Sequence, residues 1–222
     1  MKTCIIIPTY NEAATIGYVI EHARQQVNEV IIIDDGSTDR TAQVSRDNGA
    51  TVLRNLKNEG KGISLIRGLD YALDKDYDAV ITMDGDGQHC PNDIPRFIQC
   101  AEASNAGMFI GNRMCDLKNM PFLRVLTNKF MSWFISALIK QKVWDSQCGF
   151  RLIKRGLLEK LKFTTRHFET ETEVLFQASR LNYKIESVPI KTIYQTEKSQ
   201  INPFLDTMRF ISFIWRQIWS KQ

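Results

Sequence analysis

Ala79-Val80-Ile81-Thr82-Met83-Asp84-Gly85-Asp86-Gly87-Gln88 runs from an apolar strand directly into an acidic turn punctuated by glycines. The first five residues do not alternate in polarity, as expected of a strand covered on both faces. Two more stretches repeat the arrangement. Thr3-Cys4-Ile5-Ile6-Ile7-Pro8 precedes Thr9-Tyr10-Asn11-Glu12, and an Ile-rich run over 29–34 precedes Asp34-Asp35-Gly36-Ser37. Between these strands, amphipathic stretches predict helices over 13–26, from near Asp39, and over 60–73, with a short strand at 51–54. This βαβα order predicts an α/β fold with a mostly parallel central sheet flanked by helices. Ligands bind such sheets beyond the carboxyl ends of the strands. The three polar loops fall at those ends, which predicts one site on one edge.

Asp84 and Asp86 place two carboxylates on a tight turn, with Gln88 two positions on. Magnesium commonly takes only one or two protein carboxylates and completes its shell with phosphate oxygens and water. Alone, such a turn reads more simply as an acidic cap for the helix whose start Pro91 and Asn92 mark. With two further polar loops on the same edge, the cation-binding reading prevails. Asp35 could accept hydrogen bonds from a ribose or base, while Ser37 or Thr38 caps the following helix. Lys61 reads either as a phosphate contact or as an exposed lysine at a helix start. No G-x-G-x-x-G follows strand one, and Glu59-Gly60-Lys61-Gly62 lacks the remaining parts of a P-loop, so dinucleotide and P-loop folds are excluded.

After about Asn112 the pattern changes. A long apolar region over 120–143 gives way to Asp145-Ser146-Gln147-Cys148-Gly149-Phe150-Arg151. Helices are expected around 155–161 and 171–181, a strand over 184–193, and an amphipathic stretch over 203–219. The chain of 222 residues suits one domain, taken as 1–200, with an amphipathic C-terminal helix over 201–222. A net charge of +4 is too small and too dispersed to indicate a nucleic-acid partner. Five scattered cysteines, none in C-x-x-C spacing, favour a reducing cytosol over a disulfide framework or zinc site. No leader is expected, and no apolar stretch is read as reaching the roughly 18 residues of a membrane span.

Jointly, Pro8-Thr9-Tyr10-Asn11-Glu12, Asp34-Asp35-Gly36-Ser37-Thr38-Asp39, Asn58-Glu59-Gly60-Lys61-Gly62, Met83 through Gln88 and Gly111-Asn112-Arg113 resemble glycosyltransferase family 2, whose members have the GT-A nucleotide-sugar-binding fold. Asp145 through Arg151, Glu171-Thr172-Glu173 and Lys198-Ser199 extend the resemblance to polyprenyl-phosphate sugar synthases such as dolichyl-phosphate mannose synthase. The resemblance implies that Pro8, Tyr10, Glu12 and Asp35 cradle the base and ribose of the donor. It implies Asp84, Asp86 and Gln88 as ligands of Mg2+ or Mn2+, with Asp84 also beside the donor diphosphate. Arg113 and Arg124 would hold the acceptor phosphate, with Arg151 as a further acceptor contact. Lys61 and Lys198 would reach the donor phosphates. Thr196-Glu197-Lys198-Ser199 stands where these synthases often carry more arginine and glycine.

The expected activity is inverting transfer of a hexose from a nucleotide-sugar, of GDP-mannose or UDP-glucose type, to a polyprenyl phosphate. The enzyme would be peripherally membrane-associated on the cytoplasmic side. A saccharide hydroxyl as acceptor is the alternative, with Asp145 or Glu171 as the base it would need. A non-catalytic module that binds nucleotide-sugar and recruits partners is the alternative of another class. All four tryptophans, Trp133, Trp144, Trp215 and Trp219, lie in the later part. Phe130, Trp133, Phe134 and Ala137 share one helix face, and Phe204, Met208, Ile211 and Trp215 share another. With Lys129, Lys140, Arg209 and Arg216 nearby, these faces suit a membrane surface. Packing on each other, or in a homodimer, is the other use for such stripes.

Overall fold

The structure, a computed structural model, describes residues 1–117, 120–167, 169–191, 193 and 212–215. Strand β1 (Thr3–Thr9) is followed by helix α1 (Ile16–Arg24), β2 (Glu29–Asp34), α2 (Thr41–Asp47), β3 (Thr51–Arg54), α3 (Lys61–Asp74) and β4 (Ala79–Thr82). A 3-10 turn, Pro91–Asp93, leads into α4 (Ile94–Ala103) and β5 (Met108–Asn112). Next come α5 (Phe122–Ile139), β6 (Arg151–Lys154), α6 (Arg155–Leu158), α7 (Glu169–Arg180) and β7 (Ile185–Pro189). The expected α1 is shorter at its start, because the Glu12 carbonyl accepts from the N–H groups of Thr15 and Ile16 in a turn ahead of the helix.

The sheet has seven strands in the order β3-β2-β1-β4-β6-β5-β7. Only β6 runs antiparallel to its neighbours among the described pairings. Ile5, Ile6 and Ile7 of β1 and Ile31, Ile32 and Ile33 of β2 are fully buried, so both faces of the central strands are covered, as their unbroken apolar runs predict. Ile16, Val19, Ile20 and Ala23 put the apolar stripe of α1 on the core at helical spacing. On the other half, Phe97 stacks on Phe150 at 4.4 Å between ring centroids.

Strand register explains why the polar loops meet. Thr9 pairs with Asp34, and Ile6 with Thr82, so β1, β2 and β4 end on the same edge. The reversed direction of β6 matters most. Arg151, its first residue, pairs with Thr82 on one side and Ile110 on the other, so the segment before it is delivered to that same edge. The sequence reading did not anticipate β5 or β6.

Helix α5 corrects one expectation. It spans 18 residues and is long and apolar enough to cross a membrane by length and composition. Its inward side, however, carries Asn128 and Ser132 beside Ile135 and Ile139. The Ser132 hydroxyl accepts from the Ser146 N–H at 2.9 Å, and the Ser136 hydroxyl from the Val143 N–H at 2.9 Å. This helix lies along the domain. Of the C-terminal segment expected over 201–222, the structure describes a helical turn at 212–215, where Phe213 meets Phe176 edge-on at 5.6 Å.

Candidate active site

The acidic turn alternates its residues. Asp84, Asp86 and Gln88 are partly exposed on the cleft side, while Gly85, Gly87 and His89 are buried. The Gln88 N–H donates to Asp86 Oδ1 at 2.9 Å, which tightens the turn. Thr15 donates its hydroxyl to the Gly85 carbonyl at 2.8 Å, tying the turn to the loop after β1. His89 lies beneath, with Nδ1 accepting from the Asp84 N–H at 3.2 Å and its ring 5.3 Å from Phe150. Sequence reasoning missed His89, although its place directly after Gln88 was a usable signal.

Lys61 closes the turn from the opposite side. Its Nζ is 2.6 Å from Asp84 Oδ1 and 2.7 Å from Glu171 Oε1, so one ammonium bridges two carboxylates. Burial alone would lower the lysine pKa, but the charges of Asp84 and Glu171 outweigh it and raise the pKa. Burial likewise pushes Asp84 up, and Lys61, with His89 and Arg113 beyond it, more than offsets this, leaving the carboxyl well below its usual range. Asp86 shifts the other way, first through burial and then through the charge of Asp84. His89 is pushed down by burial, in spite of the two aspartates beside it.

The 145–151 segment forms the next wall. Asp145 is fully buried, and Arg113 grips it with Nε on Oδ2 at 2.6 Å and a second guanidinium nitrogen on Oδ1 at 2.9 Å. The Arg113 N–H adds a third bond to Oδ2 at 3.2 Å. Gly149 presses against Asp84, so a Cβ there would lie 2.8 Å from Asp84 Oδ2. Arg151 is spent on internal bonds, to the carbonyls of Cys148 at 2.7 Å, Ser146 at 3.0 Å and Glu171. It also lies 3.6 Å from the Glu171 carboxylate.

The residues expected to bind the donor lie at the ends of β1 and β2 and in the loops after them. Pro8 lies within β1 and Tyr10 just after it. The Glu12 side chain accepts from the Thr15 hydroxyl at 3.3 Å. Asp35 is buried, and its oxygens accept from the Glu59 N–H at 3.0 Å, the Gly60 N–H at 2.8 Å and Asn55 Nδ2 at 2.7 Å. Asp35 therefore shapes the loop that presents Lys61. Arg124 sits exposed on the first turn of α5. Lys198, and the residues around it, lie outside the described residues. The chain does return toward the acidic turn, where the Ile193 N–H donates to the Gln88 carbonyl at 3.0 Å.

Residues 4–162 match the model of glycosyl transferase family 2. The chain belongs to that family. Among its relatives is a UDP-N-acetylglucosamine–dolichyl-phosphate N-acetylglucosaminyltransferase of Methanococcus voltae, 31% identical over 86% of this chain and 85% of the relative. A polyprenol monophosphomannose synthase of Mycolicibacterium smegmatis is 26% identical over 85% of this chain and 76% of the relative. The crystal structure of glucosyl-3-phosphoglycerate synthase from Mycobacterium tuberculosis with UDP superposes with a TM-score of 0.79 at 22% identity, covering 97% of this chain and 79% of that one. Another structure of that enzyme holds Mn2+ with UDP and its product. The fold is thus the GT-A fold, and this family 2 member is a glycosyltransferase, as the motif order implied.

The acidic turn suits a hard divalent cation. Two carboxylates two positions apart, Asp84 and Asp86, share one tight turn with the Gln88 side chain beside them. Among the described residues no group of three or more His, Cys, Asp or Glu side chains is placed to hold a metal ion, so Asp84, Asp86 and Gln88 would need ligand oxygens from the substrate or water.

Proposed function

We propose that this family 2 enzyme transfers a hexose from a nucleotide-sugar to a polyprenyl phosphate, inverting the anomeric centre, while seated on the cytoplasmic face of a membrane. The observation that carries this reading is the exposed apolar face of α5. Phe122, Leu123, Leu126, Phe130 and Trp133 are all more than half exposed, while its polar Asn128 and Ser132 face the protein. A helix that packs on its own domain through Ser132, Ile135 and Ile139 and turns this many large apolar side chains outward is built to meet an apolar phase. Trp144, half exposed with Lys142 Nζ 3.5 Å from its ring centroid, follows α5 in the chain. Through the Ser132–Ser146 bonds this face is tied to the segment that touches Asp84 and holds Arg113. A lipid acceptor would thus deliver its head beside the acidic turn. The names of the two lipid-phosphate relatives agree with that acceptor.

In this reading Tyr10, Glu12, Asp35 and the strand end at Pro8 hold the nucleoside, and Asp84, Asp86 and Gln88 hold a magnesium or manganese ion. The bound ion would supply positive charge to the nucleoside-diphosphate leaving group. Arg113, aimed by Asp145, and Arg124, at the membrane edge of α5, orient the acceptor phosphate. A phosphate oxygen forms the new bond from the face opposite the departing diphosphate, whose bond to the anomeric carbon breaks. Because the nucleophile is already anionic, no strong base is required. The geometry supports this economy: Asp145 is engaged by Arg113, and Glu171 by Arg151. Arg151 contributes by fixing that wall.

The test is transfer of labelled sugar from GDP-mannose and from UDP-glucose, separately, to polyprenyl phosphate in detergent with Mg2+ or Mn2+. Label entering the organic phase and lost in Asp86→Ala supports the reading. Label moving only to saccharide acceptors contradicts it.

A further inference from the structure

In this structure the Lys61 ammonium occupies one oxygen of Asp84, a carboxylate assigned above to the metal. The ammonium bridges Asp84 Oδ1 and Glu171 Oε1, only a quarter of the side chain is exposed, and Lys61 is the only lysine in contact with either carboxylate among the described ion pairs. An ammonium and a divalent ion repel strongly at such separations in a partly desolvated site. An ammonium on Asp84 Oδ1 therefore disfavours a divalent ion at the same oxygen.

We propose that Lys61 is a built-in counter-ion that keeps the acidic turn closed to divalent metal until nucleotide-sugar arrives. The proposal rests on the metal reading of Asp84, Asp86 and Gln88 given above. On arrival the donor's diphosphate offers the ammonium a second anionic partner. Lys61 then leaves Asp84, and the vacated oxygen becomes available to the ion. Metal and nucleotide consequently bind with positive coupling, each raising the affinity of the other by the same factor.

The backbone shows that this exchange is a side-chain movement. Helix α3 begins at Lys61, and a Cβ on Gly62 would lie 2.4 Å from the His167 carbonyl oxygen and 2.5 Å from the Arg166 carbonyl carbon. The start of α3 is therefore packed tightly against the backbone of Arg166 and His167. Asp35 pins the same loop from the other side through the N–H groups of Glu59 and Gly60. The flexible four-carbon stem of lysine is the part left to swing.

The experiment measures Mn2+ binding without turnover, by the electron paramagnetic resonance signal of free Mn2+, with and without UDP or GDP. Wild type, Lys61→Met, Lys61→Gln and Asp86→Ala are compared, each checked by thermal melting. The expected result is weak Mn2+ binding by nucleotide-free wild type that tightens with nucleotide. In Lys61→Met the nucleotide-free affinity rises about tenfold or more, because the closed state no longer competes, and the gain from nucleotide shrinks. Lys61→Gln, which keeps polarity but removes charge, should change in the same direction and serves if the methionine variant does not fold. Unchanged or weaker nucleotide-free binding in the folded Lys61 variants, with binding still abolished by Asp86→Ala, overturns the proposal and leaves the metal site standing. Binding that is indifferent to Asp86→Ala overturns the metal reading itself, and the proposal with it.

Discussion

Arg113 and Asp145 form a buried, two-pronged ion pair, with nitrogen–oxygen distances of 2.6 and 2.9 Å and no exposure of the carboxylate. The pair joins the end of β5 to the segment entering β6. Removing one member of a buried pair strands the other charge, at a cost of about 3–5 kcal/mol. Asp145→Ala should therefore lower the unfolding free energy by about that amount in urea titration. Asp145→Asn, which keeps the shape, should fold better yet lose transfer activity as Arg113 loses its aim. A stable Asp145→Ala protein that lost only activity toward hydroxyl acceptors would instead point to Asp145 as a base.

Gly149 lies against Asp84 closely enough that an added methyl would stand 2.8 Å from the carboxylate oxygen. The short aspartate side chain would have to turn away. Gly149→Ala is predicted to keep its melting temperature within a few degrees while transfer falls by about a hundredfold, the usual scale of an ångström's misplacement of a catalytic group. Comparing kcat with thermal melting checks this, and unimpaired transfer would show that Asp84 has no fixed working position.

The outward face of α5 should be dispensable for folding and required at lipid. Phe130→Ser with Trp133→Ser removes two of its exposed aromatics. Sedimentation with anionic vesicles is predicted to drop several-fold, with the circular dichroism melt almost unchanged. An equal loss of stability would mean that the face is packed against protein, and gel filtration would then show whether a second copy covers it.

Thiol reactivity follows from burial. Cys4 and Cys148 are buried and their pKa values are pushed up to about 12, chiefly by desolvation, whereas Cys115 is exposed. At pH 8 only about one in ten thousand of the buried thiols would be ionised, against roughly a quarter of an ordinary cysteine. Alkylation mapped by mass spectrometry should find Cys115 modified early, and Cys4 and Cys148 only on unfolding. Since the native state retains these protons longer than the unfolded chain, stability should fall as pH rises above about 9. Rapid labelling of Cys148 in the folded protein would contradict the packing beside Gly149.

Much of this was legible beforehand. The strands β1 to β4 announce themselves because runs such as Glu29-Val30-Ile31-Ile32-Ile33-Asp34 have no polar face, and each ends in a polar loop. β5 and β6 were not legible. Arg151-Leu152-Ile153-Lys154 is only four residues long, and its place between β4 and β5 is fixed by pairing with residues far away in sequence. For the same reason the junction of Asp145 with Arg113, and of Gly149 with Asp84, could not be read from spacing. Lys61 shows the limit most clearly. Its sequence context allowed a phosphate contact or a surface lysine, and only the folded chain places Glu171 on its other side. The polarity of α5 was half legible: the shared aromatic face is a matter of helical period, but that it points outward depends on Ser132 finding Ser146.

The most direct measurement supplies one labelled nucleotide-sugar to purified enzyme with polyprenyl phosphate, polyprenol and a free saccharide in parallel, and determines the anomeric configuration of any product by NMR. The account predicts label on polyprenyl phosphate alone, with inverted configuration, and none with Asp86→Ala. Transfer to polyprenol or saccharide that equals or exceeds transfer to the phosphate, or a product of retained configuration, would contradict it.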